Sequence, residues 1–490
     1  FKFFSISPSV EPFDEAKYKA LMDGLECSEI NLRYVMDKLF RIDAEYYQKD
    51  NLILENVLES MEGKTISAHN GKTDCSAFYP SITGYYSGDR NNIPFLRVNE
   101  IVDGLVVISE KTVFLPEKVL KANSKTIALA YPGDIIIAKG GNTLAKVGLV
   151  TDEYSVYATC RDVIILRTGE MTDLNKFYLW AYLHGTFGQK LMWRSASQTG
   201  QPHLTLNSIA GIYVPEYSMA LQEAIEELYN QSVCVKQKSQ SKYNEAVNTL
   251  EKYLGISKND SNAISTKMLS DSFKATSRLD AEYYQPKYEA IVKKLNTRET
   301  VLSLCNLHDK NYNPDAKQTY QYIELADVGQ SGDISDVDIQ YGSDLPTRAR
   351  RIVKSGQVIV PSVEGSLQSC ALITDEYDGA LCSTGFYVLD SDCINSETLL
   401  VLFKSEPIQA LMKQRCSGTI LTAISKDELL SMPLPMIDDD IQKEIAAKVQ
   451  EAFTLRKQSK QLLEYAKQAV EMAIEQGEDA AIEWLKDKVN

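Results

Sequence analysis

The chain has 490 residues, 44% hydrophobic and 24% charged, the balance of a folded protein with ample core. No apolar run approaches the roughly 20 residues that cross a bilayer, and the opening Phe1-Lys-Phe-Phe-Ser-Ile-Ser-Pro8 is too short and too soon broken by proline for a signal peptide. A formal charge of −15 weighs against a uniformly basic nucleic-acid binder, since Lys and Arg on phosphates supply most non-specific affinity.

The charge is uneven. Residues 61–215 carry 15 Lys and Arg against 13 Asp and Glu, whereas residues 301–435 carry 10 against 18. The first stretch can face a polyanion readily, and the second needs its few cations gathered on one face. Nine cysteines, odd in number and never spaced C-x-x-C, argue against a disulfide framework or a zinc site and read as reduced thiols of a cytoplasmic protein. The first residue is not methionine, which is consistent with a longer open frame.

Taken in chain order, residues 13–25 read as a short amphipathic helix stopped near Gly24 and resemble the helix end at Glu245–Gly255, as if the chain opened with the tail of a repeat. From about 60 to 215 come short β runs, Phe95-Leu-Arg-Val, Asp134-Ile-Ile-Ile and Asp162-Val-Ile-Ile-Leu, split by Gly, Asn and Ser turns and one helix around Leu174–Leu183. Leu221, Ile225, Leu228, Val235, Val247, Leu250 and Leu254 then recur at heptad-like steps with one polar gap, an interrupted coiled-coil seam about 50 Å long at about 1.5 Å per residue. A polar linker, Ser257–Asn262, leads into further β runs, Gln357-Val-Ile-Val and Phe386-Tyr-Val-Leu, with a helix at Glu397–Lys404. Ile441, Ile445, Ala452, Leu455, Ala466 and Val470 form a matching carboxy-terminal seam, and the two seams are expected to pair antiparallel.

The two β stretches are copies of one unit. Arg41-Ile-Asp-Ala-Glu-Tyr-Tyr-Gln48 returns as Arg278-Leu-Asp-Ala-Glu-Tyr-Tyr-Gln285, and Val147-Gly-Leu-Val-Thr-Asp-Glu-Tyr154 as Cys370-Ala-Leu-Ile-Thr-Asp-Glu-Tyr377. Lys236-Gln-Lys-Ser-Gln240 returns as Arg456-Lys-Gln-Ser-Lys460. The offset drifts from 237 to 223 to 220, so the second copy has shorter loops. The expected layout is α+β: an amino-terminal segment (1–40), a first domain (41–215), a central helix (216–256), a linker (257–277), a second domain (278–436) and a carboxy-terminal helix (437–490).

Catalytic constellations are missing from this pattern. The four histidines (69, 184, 203, 308) do not sit at metal spacing, there is neither G-x-G-x-x-G nor a P-loop, and no Asn-Pro-Pro-aromatic tetrad of an amino-methyltransferase occurs. The pairs Tyr46-Tyr47 and Tyr283-Tyr284 could stack on bases, but an arginine, two acids and two aromatics at fixed spacing read better as a corner that docks each unit onto the helices. The turns Lys139–Lys146 and Arg194–His203 differ in kind, because they join cations and amides to glycines that permit close backbone approach. Lys139, Asn142, Lys146, Arg194, Gln198, Thr199, Gln201 and His203 are the side chains that bond phosphates and base edges. Their counterparts in the second copy are Arg348, Arg350, Arg351, Glu364, Gln368, Arg415 and Thr419, with Glu364 able to accept from cytosine N4. Polar glycine-rich turns are commonly just solvated loops, and recurrence at corresponding points of two units is what argues for base readout.

From about residue 15 onward the chain resembles the specificity subunits of Type I restriction-modification systems. The resemblance is carried by the Arg-x-Asp-Ala-Glu-Tyr-Tyr-Gln opening of each half, Gly133-Asp-Ile-Ile-Ile with Lys146-Val-Gly-Leu-Val, Gln201-Pro-His-Leu-Thr205 before Ile212-Tyr-Val-Pro215, and a long helix after each half. It implies two target-recognition domains that each read half of an asymmetric interrupted site on double-stranded DNA. Helices, with Leu221, Ile225, Leu228, Leu250, Leu254, Ile441, Ile445 and Leu455 at their interface, would fix the gap and bind two methyltransferase subunits. By the same resemblance this chain holds no cofactor and catalyses nothing, while S-adenosylmethionine serves the methyltransferases and ATP with Mg serves restriction and translocase subunits where present. The alternatives are the carboxy-terminal part of a fused methyltransferase-specificity enzyme, or a free-standing two-headed adaptor. The second copy departs from the pattern at Arg415-Cys-Ser-Gly-Thr419, which lacks Gln-Pro-His.

Overall fold

The computed structural model describes residues 13–25, 27–38, 40–109, 111–196, 202–255, 266–270, 272–276, 278–335, 337–418 and 422–489. They divide into a first unit, Phe1–Glu227 with Tyr465–Asn490, and a second, Leu228–Glu464. In the first unit a six-stranded sheet has the order Lys72–Asp74, Val163–Arg167, Ile135–Ala138, Val147–Leu149, Leu105–Val106, Ile101–Val102. A four-stranded sheet, Val113–Leu115, Ile93–Leu96, Tyr157–Thr159, Leu129–Ala130, shares a core with it through Leu96, Phe114, Tyr157, Ile136 and Ile165. Every residue of the strand Ile135–Ala138 is fully buried. Its unbroken apolar run follows, because a strand covered on both faces has no solvent side to keep polar.

The second unit repeats this plan with two four-stranded sheets. The repeat extends to register: Ile137 pairs with Ile164 and Ile136 with Ile165, while Val360 pairs with Tyr387 and Ile359 with Val388. Each pair of partners is shifted by 223, as the sequence offset requires. A one-residue slip would exchange the side chains between two packed faces, so close packing on both faces holds this register independently in each unit.

After these strands each unit places two helices, Lys176–His184 then Thr186–Ser195, and Ser396–Lys404 then Glu406–Arg415. The first of each pair starts later, or earlier, by a residue or two than periodicity suggests, because Asn175 and Asn395 cap it with their side-chain oxygens on Phe177 N and Thr398 N. The second of each pair is not legible as a separate helix. In Thr186–Ser195 the reason is Gly188, a poor helix former that is required here, since a Cβ would lie 2.3 Å from Tyr182 O.

The central helix runs Met219–Leu254 and the long carboxy-terminal helix Asp439–Gln476. Within the second unit they are antiparallel: Ser232 Oγ lies 2.9 Å from Ser459 Oγ, Ser239 Oγ donates to Ala452 O at 2.7 Å, and Thr249 Oγ1 meets Glu444 Oε1 at 3.2 Å. Leu221, Ile225, Leu228, Leu250 and Ile445 are buried at the seam, whereas Leu254, Ile441 and Leu455 are only partly covered. Ser232 and Ser239 are buried seven residues apart on the track of Ile225 and Ala246. The polar gap in the seam is therefore filled by small hydroxyls that bond across it, and Val235 is half-buried. The expected single helix over 437–490 is broken at Gly477, whose φ is +97°, and a separate helix follows at Glu478–Val489. Its Glu478 carboxylate accepts from Ser218 N at 3.1 Å, next to the positive end of the central helix dipole. No helix among the described residues is long and apolar enough to cross a membrane.

The Arg-x-Asp-Ala-Glu-Tyr-Tyr segment is a docking corner in both units. Arg41 forks onto Asp43 (2.7 and 2.9 Å) and bonds Ala196 O at 2.6 Å; Arg278 forks onto Asp280 (2.9 and 2.7 Å) and bonds Cys416 O at 2.8 Å. In both, the second tyrosine's hydroxyl donates to the arginine's own carbonyl, and the guanidinium covers the first tyrosine's ring at 4.3 Å. The corner thus grips the end of its unit's second short helix, where docking onto the long helices was expected. Attachment to the long helices comes from another repeated device. The Gln222 side chain accepts from Asn175 N at 2.8 Å and donates to Tyr217 O at 2.8 Å, and Gln442 accepts from Asn395 N at 2.8 Å and donates to Ile437 O at 2.9 Å.

Candidate nucleic-acid interface

The loops singled out by composition meet in a three-way junction that each unit builds with the same bonds. In the first, Lys139 N donates to Asp162 O at 2.9 Å, Leu204 N donates to Lys139 O at 2.8 Å, and Gly140 forms a bridge with His203. In the second, Ser362 N donates to Gly385 O at 2.8 Å, Ile424 N to Ser362 O at 2.8 Å, and Val363 bridges Ala423. A glutamine braces each junction from the second short helix. Gln189 Nε2 reaches Ala145 O and Leu183 O, both at 2.9 Å, and Gln409 Nε2 reaches Leu367 O at 2.9 Å and Phe403 O at 2.6 Å.

The side chains on this common frame differ. A Cβ on Gly140 would lie 2.4 Å from His203 Nδ1, so the imidazole occupies space that only glycine leaves. In the second unit the bulk is transposed, with valine opposite alanine. Lys139 reaches Cys75 Sγ at 3.7 Å, Asn142 is exposed on the turn Gly141–Thr143, and His203 is exposed. Lys146 is half-buried at the foot of the loop. Gln198, Thr199, Gln201 and Thr419 lie outside the described residues. Phe78 and Tyr85, 76% and 52% exposed, stand on the segment following Cys75. Sequence reasoning passed over them; aromatic residues set among Ser, Gly and Asn were the available signal.

Arg194 does not join this group. Its side chain is 4% exposed and bonds Glu55 Oε2 at 2.7 Å and Tyr46 O at 3.0 Å, while the guanidinium lies 4.2 Å from the centre of the Tyr46 ring that Arg41 also covers. Burial alone would raise the Glu55 carboxyl, but Lys38, Tyr34 and Arg194 around it hold its pKa below the usual value. Its structural counterpart is Gln414, whose Nε2 donates to Tyr283 O at 2.8 Å, and Val292 stands at the position of Glu55. Both charges are therefore absent together in the second unit, as expected where either one alone would be buried unpaired. Arg415 is one residue out of register with Arg194. It is 12% exposed, its Nε lies 3.9 Å from Glu428 without a hydrogen-bond partner among the described residues, and burial lowers its pKa.

In the second unit the Arg348–Arg351 cluster adjoins the junction, because Thr384 N donates to Arg348 O at 2.8 Å beside the Gly385–Ser362 bond. A bulge between Ala349 and Arg351 turns Arg350 out of the ladder, where it bonds Asn313 Oδ1 at 2.7 Å. Arg348 is 60% exposed and pairs with Glu324 at 2.9 Å. Arg351 points inward, 5.8 Å from the Tyr387 ring, and its Nε and Nη1 have no hydrogen-bond partner among the described residues. Glu364 accepts from Thr422 Oγ1 at 2.5 Å, and Gln368 is half-buried with its carbonyl on Lys404.

Elsewhere in the first unit, His69, Asp173 and Glu216 come together from distant positions that spacing could not reveal. Lys64 lies 2.9 Å from Glu216 and 3.5 Å from Asp173, so an ammonium already pairs with both carboxylates and an added cation would compete with it.

No protein-family model matches the chain, and no curated protein matches it. Among solved structures it is similar to the Type I restriction-modification system S subunit from M. genitalium, at 11% identity and a TM-score of 0.33 over 84% of this chain and 94% of that one. It is also similar to the HsdS subunit from Thermoanaerobacter tengcongensis, at 12% identity and a TM-score of 0.25 over 83% and 97%. A structure describing assembly and conformational transition of the type I R-M system matches at 13% identity and 0.27 over 83% and 94%.

Proposed function

We propose that this chain is the DNA-sequence specificity subunit of a Type I restriction-modification complex. Each unit would read one half of an asymmetric, interrupted site through its junction loops. The observation that carries this reading is a loop junction built twice with the same backbone bonds and different side chains. A scaffold repeated with its reading groups exchanged suits two half-sites of different sequence. Lys139, Asn142, Lys146 and His203 are proposed to contact DNA in the first unit, and Arg348, Arg350, Glu364 and Gln368 in the second. Arg194 and Arg415, by their burial, are proposed to hold the frame. The long helices are proposed to set the gap and to seat two methyltransferase subunits, which supply S-adenosylmethionine chemistry.

Single-molecule methylome sequencing of a host with and without the gene tests this. One bipartite methylated motif should depend on the gene, and K139A/N142A should relax or abolish one half of it while the other half is kept. Identical methylomes with and without the gene would overturn the proposal.

A further inference from the structure

The segment 75–92 of the first unit holds its aromatic rings in two opposite ways. Tyr79 and Tyr86 turn inward against Phe95, at 6.5 and 5.7 Å between ring centres, and Ile82 between them is buried. Their neighbours in sequence, Phe78 and Tyr85, turn outward, and Phe78 is the more exposed of the two. A single exposed ring needs no explanation. A phenylalanine held out between anchors does, because the chain on either side of it is fixed: Ser76 Oγ donates to Thr159 O at 2.7 Å, Ala77 N donates to Thr126 O at 2.8 Å, and the Tyr79 ring is packed.

The same anchors set this ring beside the loop junction. Lys139 Nζ reaches Cys75 Sγ at the head of the segment, and the Tyr79 hydroxyl bonds the backbone of Arg161, adjacent to the Asp162 carbonyl that accepts from Lys139 N. In the second unit the shorter counterpart, 309–318, has one aromatic residue, Tyr312, and its ring lies 6.2 Å from that of Tyr320. The outward phenylalanine is therefore something the repeated frame does not require, placed where that frame carries its differing side chains.

We infer that Phe78 is a specificity-determining residue of the first unit that recognises the C5-methyl group of a thymine in the major groove of double-stranded DNA, an inference that rests on the specificity reading proposed above. A phenyl ring offers no conventional hydrogen bond, so it reads neither the donor and acceptor pattern of a base edge nor a phosphate. The apolar group that a base pair presents in the major groove is the thymine methyl.

The test uses the full chain with its host's adenine methyltransferase subunits, and duplexes carrying the bipartite motif found in the methylome. Deoxyuridine replaces one thymine at a time, which removes the methyl group and nothing else. The half that K139A/N142A relaxes is the half the first unit reads. In wild type, uracil at one thymine of that half should slow methyl transfer from sub-saturating duplex about fivefold, the lower end of discrimination at a single base pair. F78A should be slowed as much on thymine and lose nothing further with uracil, while its response to changes in the other half stays that of wild type. Because the ring is exposed, the melting temperature of F78A should not move. Wild type indifferent to uracil throughout that half would overturn the inference however the variant folds, even if F78A weakens binding as the loss of a ring wedged between base steps would. A first half-site without thymine, or uracil sensitivity that persists in F78A, would overturn it too. Each of these results leaves the specificity reading intact, whereas a methylome with no gene-dependent motif would overturn both.

Discussion

Replacing Gln442 by leucine is the most direct probe of how the second unit is held to its long helix. The side chain is 5% exposed and makes three bonds: its oxygen accepts from Asn395 N at 2.8 Å, and its amide donates to Cys393 O at 3.0 Å and Ile437 O at 2.9 Å. Leucine keeps the bulk and removes all three. At about 1 kcal/mol net per bond the expected cost is about 3 kcal/mol, because one amide and two carbonyls lose partners at a site closed to water. Gln222, 2% exposed, makes two corresponding bonds, so Q222L should cost about 2 kcal/mol. Urea titration resolves the two, since Trp180, Trp193 and Trp484 all belong to the first unit. Q222L should shift the tryptophan-fluorescence transition, and Q442L should shift the far-ultraviolet dichroism transition more than the fluorescence. A loss under about 1 kcal/mol for Q442L, or a larger loss for Q222L, would refute the reasoning.

At the junction, G140A should displace the His203 ring at a cost of about 1 kcal/mol, visible as a lower melting temperature and a weakened first half-site. G140V/H203A, which copies Val363 and Ala423, should regain the stability, and a G140A variant with unchanged melting would contradict the packing. R194A leaves Glu55 with Lys38 and Tyr34 alone and should cost about 3 kcal/mol or somewhat less. R194Q/E55V, which copies Gln414 and Val292, should recover most of it in urea titrations, and no recovery would show that the pair is not the unit of replacement. Burial first, then the charges of Lys467 and Lys146, push His184 down to about 4, so the folded protein resists a proton that the unfolded chain accepts near 6.5. Stability should therefore be full above pH 6.5 and fall as pH drops toward 4, by roughly 1–2 kcal/mol given the partial exposure of the ring. H184F should flatten that slope between pH 6.5 and 4.5 in urea titrations, and an unchanged slope would assign it elsewhere.

The duplication, the succession of β runs within each copy and the two heptad seams were legible in the chain because each is a local, periodic statement about which side chains avoid water. The isoleucine run at Asp134–Ile137 and the returning Arg-x-Asp-Ala-Glu-Tyr-Tyr need no partner to be recognised. The same local view also collected Lys139, Asn142 and His203 by composition, although Lys139 and His203 meet only because the fold joins segments about 60 residues apart.

What the tertiary structure alone decided are pairings between residues far apart. Arg194 reads as a solvent-facing cation in a polar turn until Glu55, 139 positions earlier, is seen against it. Gln222, Gln442, Gln189 and Gln409 are ordinary helix glutamines by composition, and become braces once their amides meet buried carbonyls and amide N–H groups from other elements. Ser232 and Ser239 look like a gap in the seam until each finds an oxygen on the facing helix. A polar side chain carries no periodic signature of its own: burial makes it structural only when a partner arrives from elsewhere, and the fold alone brings that partner.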